Sequence, residues 1–513
     1  MDTKFRDQAW DDASGRDLCG ICFRVWIQLK RHTSNYDIVI IGAGIAGCAL
    51  AHSLSRTRTT DSSPLRIALL ERSLSTPDRI VGELLQPGGM QALNAMGLTW
   101  CTEGIDAIPA KGYCIVYEGK QVQIPYPSGA EGRSFHHGAF VMHLREAARR
   151  ARGVDVIEAT VNELIECPHT GRVLGVRATP KRTNSRETSS PESFFAEITF
   201  AADGCYSKFR SSLGNRNRAP VTKSQFFGAI LEHAPLPIKH HGTVALIPGS
   251  GPVLMYQIGQ RETRILVDVK LPLPPDVKGH IKNVVVPSLP PPLQPCVLES
   301  LQKDRLRSMP NSFLPATMQG QSDSKEGLIL IGDAWNMRHP LTGGGMTVAL
   351  NDVVLLTRIL SDFMQVSPDY KEGSSSTSIS VDWEQMSDRL KSWHWSRKGL
   401  ASTVNILSIA LYDLFGADDA KLSILREGCF AYFECGGDCV NGPVSLLAGL
   451  APSPLLLAYH FFAVALQARP AAMRNPTAPS FVQYPALAVQ SMSVLWTACV
   501  VFGPLVWSEV RWW

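Results

Sequence analysis

Tyr36–Leu50 reads YDIVIIGAGIAGCAL. Tyr36–Ile41 is of strand length and, after Asp37, continuously apolar. It passes directly into Gly42-Ala-Gly44-Ile-Ala-Gly47, and Cys48–Ser55 continues as a helix. G-x-G-x-x-G between a strand and a helix is the context a dinucleotide-binding turn requires. Gly42 makes the tight turn, Gly44 lets backbone approach a pyrophosphate, and Gly47 allows close helix–strand packing. A polar insertion, Arg56–Pro64, precedes a second strand, Leu65–Leu70, that ends in Glu71. A carboxylate at that strand end binds ribose hydroxyls, and the insertion explains its distance from Gly42. The expected fold class is therefore α/β, with a Rossmann-like dinucleotide-binding domain.

Two later junctions repeat the theme. Phe194–Ala201 is read as a strand that ends in Asp203-Gly204, with Ser207 and Arg210 beyond. Leu328–Ile331 is a short buried strand closed by Gly332-Asp333. A loop containing proline then reaches Gly343, Gly344 and Gly345, and a run of helical period follows. Glycine N–H groups at a helix N-terminus make an anion site. Asp333, just past its strand, is placed to accept a hydroxyl from a sugar or ribityl chain.

At 513 residues the chain exceeds one ordinary core. Its net charge of +4 is modest, and no basic tract carries interleaved aromatics, so nucleic acid is not the expected partner. The twelve cysteines are scattered. Cys48, Cys114 and Cys499 sit in apolar runs and read as buried thiols. Cys429, Cys435 and Cys439 read as packing thiols. Cys19-x-x-Cys22 has no second pair at zinc spacing, so no metal site is expected.

The remaining readings place the elements between the junctions. Arg79 lies at the start of a loop or helix, and Gln86 precedes a Pro-Gly-Gly break. Gly112–Tyr117 and Val122–Tyr126 form a hairpin across Glu118-Gly119. Val141–Arg152 is a helix whose Arg145 could reach a phosphate; otherwise Arg145, Arg149, Arg150 and Arg152 are its solvated face. Val154–Ile165 and Val173–Ala178 are strands, with Pro180–Glu192 as a hairpin tip. Phe226–Asp268 alternates as a sheet walling a pocket. Leu271–Pro295 is Pro-rich and is expected to loop around the outside. Gly373–Ser380 is a surface loop and Trp383–Phe415 mostly helical.

Met1–Tyr36 is polar except for Gly20–Leu29, which is too short to span a bilayer. Pro443–Ala468 and Phe481–Trp507 contain no Asp, Glu, Lys or Arg. Prolines interrupt both, so they read as helices dipping into one leaflet, with spanning as the alternative. Trp496, Trp507, Trp512 and Trp513 suit an interfacial belt.

Taken together, the three junctions resemble those of FAD monooxygenases of the aromatic hydroxylase type. RIVGELLQPGG (79–89), VQIPYP (122–127), SFHHG (134–138), DGCYSKFR (203–210), RSMPNSFLP (307–315), GDAWNMRHPLTGGGMTVALND (332–352) and CFAYFECGGDCVNGPVSLL (429–447) narrow this. Their order and spacing resemble the squalene epoxidase (squalene monooxygenase) family, over nearly all of Tyr36–Trp507. The resemblance implies a Rossmann-like FAD-binding domain, a β-sheet substrate domain and a C-terminal apolar helical membrane-associated segment. It divides the chain into an N-terminal polar extension (1–35), FAD-binding parts (36–112, 141–220, 311–365) and substrate-domain parts (113–140, 221–310). A helical region lining the substrate tunnel (366–442) and membrane-associated helices (443–513) complete it.

The implied reaction is FAD-dependent epoxidation of squalene to (S)-2,3-oxidosqualene with O2, in sterol or triterpenoid biosynthesis. Such a site needs no nucleophilic triad, since an alkene is attacked without deprotonation. It must hold the flavin, exclude water and orient a long apolar chain. The implied cofactor residues are Gly42, Gly44, Gly47, Glu71, Arg79, Arg145, Asp203, Asp333, Gly345 and Met346, with the flavin ring near Gly343–Met346. Tyr113 would hydrogen-bond Gln86 at the reacting end; from the residues alone, Tyr113 is a strand tyrosine satisfied by any acceptor. Phe415, Phe430, Phe433, Pro443 and Leu446 would line the apolar tunnel; read alone, they are core residues. No second strand–GxGxxG–helix unit and no FMN or iron–sulfur module is legible. Electrons from NADPH arrive either at a transient surface site or through a separate reductase. The resemblance implies the latter, NADPH–cytochrome P450 reductase, at the endoplasmic reticulum membrane, with peripheral attachment through the C-terminus. Two alternatives stand: a paralogue acting on another prenyl or terpenoid alkene, and a non-catalytic escort of prenylated proteins, which would be expected to lose its flavin contacts.

Overall fold

The computed structural model describes residues 36–57, 64–181, 190–213, 219–247, 249–303, 306–322, 324–366, 381–416, 420–467 and 484–510. The expectations for residues 1–35, including Cys19 and Cys22, and for Gly373–Ser380 lie outside these residues, as does most of the hairpin tip within Pro180–Glu192.

In chain order the strands are β1 (Ile38–Ile41), β2 (Ile67–Glu71), β3 (Leu84–Leu85), β4 (Ile108–Ala110), β5 (Gly112–Tyr117) and β6 (Lys120–Pro125). Then come β7 (Gly132–Ser134), β8 (Val154–Glu166), β9 (Val173–Pro180), β10 (Glu192–Phe195), β11 (Ile198–Ala201) and β12 (Val221–Glu232). The last are β13 (His241–Leu246), β14 (Val253–Gln257), β15 (Glu262–Lys270), β16 (Arg307–Phe313) and β17 (Leu328–Leu330). The longer helices are α1 (Ile45–Leu54), α2 (Pro87–Met96), α3 (His137–Arg150), α4 (Gln294–Lys303) and α5 (Gly344–Val366). They are followed by α6 (Trp383–Phe415), α7 (Ala420–Glu434), α8 (Asp438–Leu447), α9 (Pro454–Gln467) and α10 (Tyr484–Val510).

Two seven-stranded sheets carry the fold. The first runs β10-β9-β8-β2-β1-β11-β17. Its central pairs, β8 with β2, β2 with β1, β1 with β11 and β11 with β17, are parallel. Strands covered on both faces read as continuous apolar runs, and IVII of β1 and LIL of β17 are buried throughout. Helices α1, α3 and α5 cover this sheet, so residues from all of them share one core with β1, β2, β11 and β17. The strand expected over Phe194–Ala201 is two strands. It breaks at Ala196-Glu197, with β10 paired to β9 and β11 carried on to β1.

The second sheet runs β16-β12-β15-β14-β13-β5-β6. The β5–β6 hairpin forms as expected, with Gly112 opposite Pro125 and Tyr117 opposite Lys120. The β16 strand crosses the boundary placed at residues 310 and 311, so all of it through Phe313 belongs to this sheet. Residues 271–295 do not loop around the outside. Short helical turns there put Ile281, Val285, Val286, Leu289 and Leu293 at 3% exposure or less against the sheet's outer face, joined by Val297 of α4. Prolines stand in the first turn of two of them, Val286–Ser288 and Pro291–Leu293, while the Asp276 side chain caps the earlier one from Val277. Likewise Pro87 opens helix α2 at its first turn, and Gln86 is the N-cap, so Pro-Gly-Gly is a beginning and not a break.

Helices α6 to α10 gather beside the second sheet. The α6 helix coincides with the expected span. Leu446, Leu457 and Phe502 meet Ile406 and Leu407 of α6 in one apolar cluster. Cys48 and Cys114 are buried as expected, but Cys499 is exposed, because it sits on the outer face of α10. Among the described residues no helix is long and apolar enough to cross a membrane.

Candidate active site

The three junctions converge. Gly42 and Gly44 follow β1, Asp203 and Gly204 follow β11, and Gly332 and Asp333 follow β17, all at the same end of the first sheet. Between that end and the second sheet lies a cavity of about 1210 Å3. It exceeds the roughly 300–1,000 Å3 of ordinary small-molecule pockets. Ten expected site residues line it: Gly42, Gly44, Glu71, Arg79, Tyr113, Arg145, Asp203, Asp333, Gly345 and Met346.

Gly42 has φ of +102°, and a Cβ there would lie 2.6 Å from the Ala202 carbonyl oxygen. A Cβ on Gly47 would lie 1.9 Å from the Gly42 oxygen, so only glycine lets α1 sit this close to the turn. Gly44 and Gly345 differ, since a Cβ on either meets nothing within 4 Å. These two face open space in the cavity wall.

Glu71 and Arg145 brace the turn. Glu71 accepts from the Ala43 N–H at 2.8 Å and the Ser73 N–H at 3.2 Å. Arg145 is 3% exposed and donates to the Ala43 carbonyl and the Ser75 carbonyl, each at 2.9 Å. It is therefore not part of a solvated face, whereas Arg149, Arg150 and Arg152 are exposed. Burial pushes the Asp203 and Asp333 carboxyls above the usual range. Ser207 opposes the shift at Asp203, and Arg338, Arg79 and Arg210 oppose it at Asp333. One oxygen of Asp203, Oδ1, is buried without a hydrogen-bond partner.

At the other end of the cavity Gln86 is fully buried. Its amide donates to the Tyr113 hydroxyl and, at 2.8 Å, to the Thr342 carbonyl beside the triple glycine. The Tyr126 hydroxyl donates to Gln86 Oε1 at 2.5 Å. Tyr113 stands on the cavity wall, and Tyr126 meets it edge-on with ring centres 5.8 Å apart. Sequence reasoning paired Tyr113 with Gln86 but missed Tyr126, whose only signal is its place in VQIPYP. Burial raises the hydroxyl pKa of both tyrosines, so both stay protonated donors near neutral pH.

The proposed tunnel residues are not among those lining this cavity. Phe415, Phe430 and Phe433 pack with Tyr113, Tyr117 and Tyr126 in one apolar cluster behind its wall. Leu446 belongs to a separate cluster with Ile406 and Phe502. Pro443 is half-buried within α8.

A buried polar network unread in the sequence lies beneath the triple glycine. Asn336 Oδ1 accepts from Arg338 at 2.8 Å, Arg397 at 3.0 Å and Asn405 at 3.4 Å. Arg397 grips Asp352 with two bonds, 2.8 and 2.7 Å. Trp335, for which the sequence offered no role, stacks on Trp393 at 4.6 Å and lies under the Arg397 guanidinium at 4.4 Å. Glu509, 3% exposed, accepts from Asn405 at 2.8 Å, Ser402 at 2.9 Å and Lys398 at 3.1 Å. One signal was available, since Glu509 is the only acidic residue in 443–513.

Comparison with known proteins bears on the family and the fold. The family model described as squalene epoxidase matches residues 195–483. The chain is 45% identical over 488 residues to a squalene epoxidase, erg1, of Aspergillus fumigatus, covering 92% of this chain and 93% of that one. It is 40% identical to a squalene monooxygenase of Mus musculus, covering 93% and 78% respectively. Among solved structures the flavin-dependent brominase Bmp2 aligns with a TM-score of 0.62 at 14% identity, covering 84% of this chain and 98% of that one. At that identity the likeness concerns the fold alone.

Proposed function

The chain belongs to the squalene epoxidase family, and from that membership we infer that it is an FAD-dependent squalene monooxygenase. It converts squalene to (S)-2,3-oxidosqualene in sterol or triterpenoid biosynthesis. The observation that carries the reading is convergence. Three cofactor junctions from distant parts of the chain meet around one cavity whose far end holds the Tyr113–Gln86 pair.

The residues present fit FAD. Gly44 and Gly345 leave open space where backbone must come close to a ligand. Asp203 keeps a buried oxygen without a partner at the same wall. We assign Gly42, Gly44 and Gly47 to the diphosphate turn, with Arg145 and Glu71 bracing it, Glu71 also to the ribose, and Asp333 to the ribityl chain. Arg79, Asp203, Gly345 and Met346 complete the cofactor set. When bound, FAD supplies the activation of O2 and the transfer of one oxygen atom, chemistry that side chains lack.

The chain's own residues do the rest. Gln86 holds Tyr113 and Tyr126 by hydrogen bonds, which fixes the wall facing the reacting alkene. Leu254, Tyr256, Leu266 and Met309 present apolar or aromatic surface from the second sheet to the same cavity. That surface excludes water and binds a hydrocarbon chain. Phe415, Phe430 and Phe433, packed just behind, and Pro443 and Leu446 of α8 shape the continuation of the tunnel.

Electrons come from NADPH through a separate membrane-bound reductase of the cytochrome P450 reductase type. Attachment to the endoplasmic reticulum membrane is peripheral, through α9 and α10. Leu455, Tyr459, Leu466, Met492, Trp496, Val500 and Trp507 are all more than half exposed there. So large an array of exposed apolar side chains on adjacent helices suits a lipid interface.

The purified protein with that reductase, NADPH, FAD, O2 and squalene in detergent is expected to yield the monoepoxide, read by mass spectrometry. Formation without the reductase would overturn the partner assignment. Epoxidation of another prenyl chain but not squalene would move the substrate assignment to that alkene.

Tyr113→Phe removes one hydroxyl from the buried pair. Gln86 keeps Thr342 and Tyr126 but loses one partner, at a cost of about 1–3 kcal/mol. FAD should be retained while turnover falls about tenfold or more. Unchanged turnover would return Tyr113 to a packing role.

A further inference from the structure

His339 opens the short 3-10 turn Pro340–Thr342 that leads into the triple glycine. That turn anchors the reacting end of the cavity. The Thr342 carbonyl accepts from the Gln86 amide at 2.8 Å and from the Tyr113 hydroxyl at 3.3 Å. His339 is buried, and its Nδ1 accepts from the Leu341 N–H at 3.2 Å. The imidazole thus caps the turn as a side-chain oxygen caps a helix. Its ring stacks on Tyr412 of α6 at 4.2 Å and meets Phe226 of β12 edge-on at 5.5 Å.

The other ring nitrogen faces a buried acid of the second sheet. Nε2 lies 3.3 Å from the Ser224 hydroxyl of β12 and 3.5 Å from Asp268 Oδ1 of β15. Ser224 and Asp268 are both fully buried. Ser224 donates its one hydrogen to Asp268 Oδ1 at 2.5 Å. Asn311 of β16 donates to the same oxygen at 2.7 Å and to the Ser224 oxygen at 3.1 Å, which uses both amide hydrogens. The Ser224 oxygen therefore meets His339 as an acceptor, and Nε2 must carry the hydrogen. The Leu341 N–H demands the same arrangement from the other side, since it needs Nδ1 bare. Two independent partners select one tautomer. The Tyr412 hydroxyl also faces Ser224 and Asp268, and burial pushes it up to about 12, which keeps it protonated.

We propose that His339 is a positioning residue for the epoxidation: Ser224 and Asp268 hold its hydrogen on Nε2, so that Nδ1 fixes the turn whose Thr342 carbonyl sets Gln86 and Tyr113. This rests on the reading of Tyr113 and Gln86 as the end of the cavity that faces the alkene. The device ties the two sheets together. Ser224, Asp268 and Asn311 stand side by side on β12, β15 and β16, with Phe226 opposite Asp268 and Ser224 opposite Asn311. The loop they hold runs from β17 of the first sheet into α5. An alkene offers no charge by which to be gripped, so its productive geometry depends on the shape of the wall. A turn free to rotate the Thr342 carbonyl would loosen that wall and leave the dinucleotide turn at Gly42–Gly47 untouched.

The test separates the two ring nitrogens. An asparagine side chain carries a polar atom near the position of Nδ1, and a glutamine side chain one near that of Nε2. His339→Asn should keep the cap and stay within about threefold of wild-type turnover. His339→Gln should keep the contact with Ser224 and leave the Leu341 N–H unpaired. Its kcat should fall about tenfold, with squalene KM and oxidised FAD affinity changed less than about threefold. In a Tyr113→Phe background the same His339→Gln change should cost less than about threefold, because its effect runs through a contact already lost. The proposal is overturned if the loss is equal in both backgrounds, or if His339→Gln does no worse than His339→Asn; His339 would then serve packing alone. A reading without turnover comes from NMR of the labelled ring nitrogens, assigned by the signal that His339→Asn removes. Nε2 should bear the hydrogen, and hydrogen on Nδ1 would sink the idea. Failure of the underlying reading is a separate outcome, seen as unchanged turnover in Tyr113→Phe alone.

Discussion

Gly44→Val is expected to purify as a folded, nearly colourless protein. Gly44 has φ of −87° and ψ of −163°, extended backbone that valine adopts readily. A Cβ there meets nothing within 4 Å, so no part of the chain resists the change. The added branches fill the cavity wall where backbone must approach the diphosphate. Losing those contacts should weaken FAD binding at least 100-fold, about 2.7 kcal/mol. The ratio of flavin absorbance to protein absorbance reads the cofactor, and circular dichroism reads the fold. Gly42 would be a poor choice for this experiment. Its positive φ and its 2.6 Å approach to Ala202 would damage fold and binding together. A full flavin complement in Gly44→Val would place the cofactor elsewhere. Asp333→Ala gives the complementary loss at the ribityl end, with no backbone change.

The same contrast explains what could be read from the sequence. The three junctions were legible because each is local: a strand, its terminal turn residues and the turn or helix that follows lie within about 20 positions and fix where the glycines and aspartates lie. The Tyr113–Gln86 pair was reached through family resemblance, and the β5–β6 hairpin through two strand-like runs separated by Glu118-Gly119. What stayed hidden is long-range. Arg397 and Asp352 are 45 positions apart, and Lys398 and Glu509 are 111 apart. Helical periodicity marks Arg397 as one more polar residue of α6 and names no partner. Tyr126 follows a proline at the end of a strand, and nothing local says that its hydroxyl turns to Gln86. Residues 271–295 were misread for another reason. Prolines were counted as breakers, although Ile281, Val285, Leu289 and Leu293 recur at a spacing that fits short helical turns.

Arg397→Met is expected to destabilise the protein by about 3–5 kcal/mol, because it strands a buried carboxylate. The side chains of Arg397 and Asp352 are 1% and 4% exposed, so water does not screen the loss. Arg397 also holds Asn336 at 3.0 Å and covers the Trp335 ring, so the loop leading to the triple glycine loses its floor. Urea unfolding at neutral pH reads the change as a lower midpoint at unchanged slope. The double variant Arg397→Met with Asp352→Leu separates two explanations. Replacing both partners of a buried pair by apolar groups is often neutral, so most of the lost stability should return. Recovery of stability without recovery of flavin binding would assign Arg397 to positioning the Asn336–Arg338 loop. Recovery of both would limit it to neutralising Asp352. A single variant within about 1 kcal/mol of the wild type would show that Asp352 is not charged in the folded protein, and the network under the triple glycine would have to be redrawn around a neutral acid.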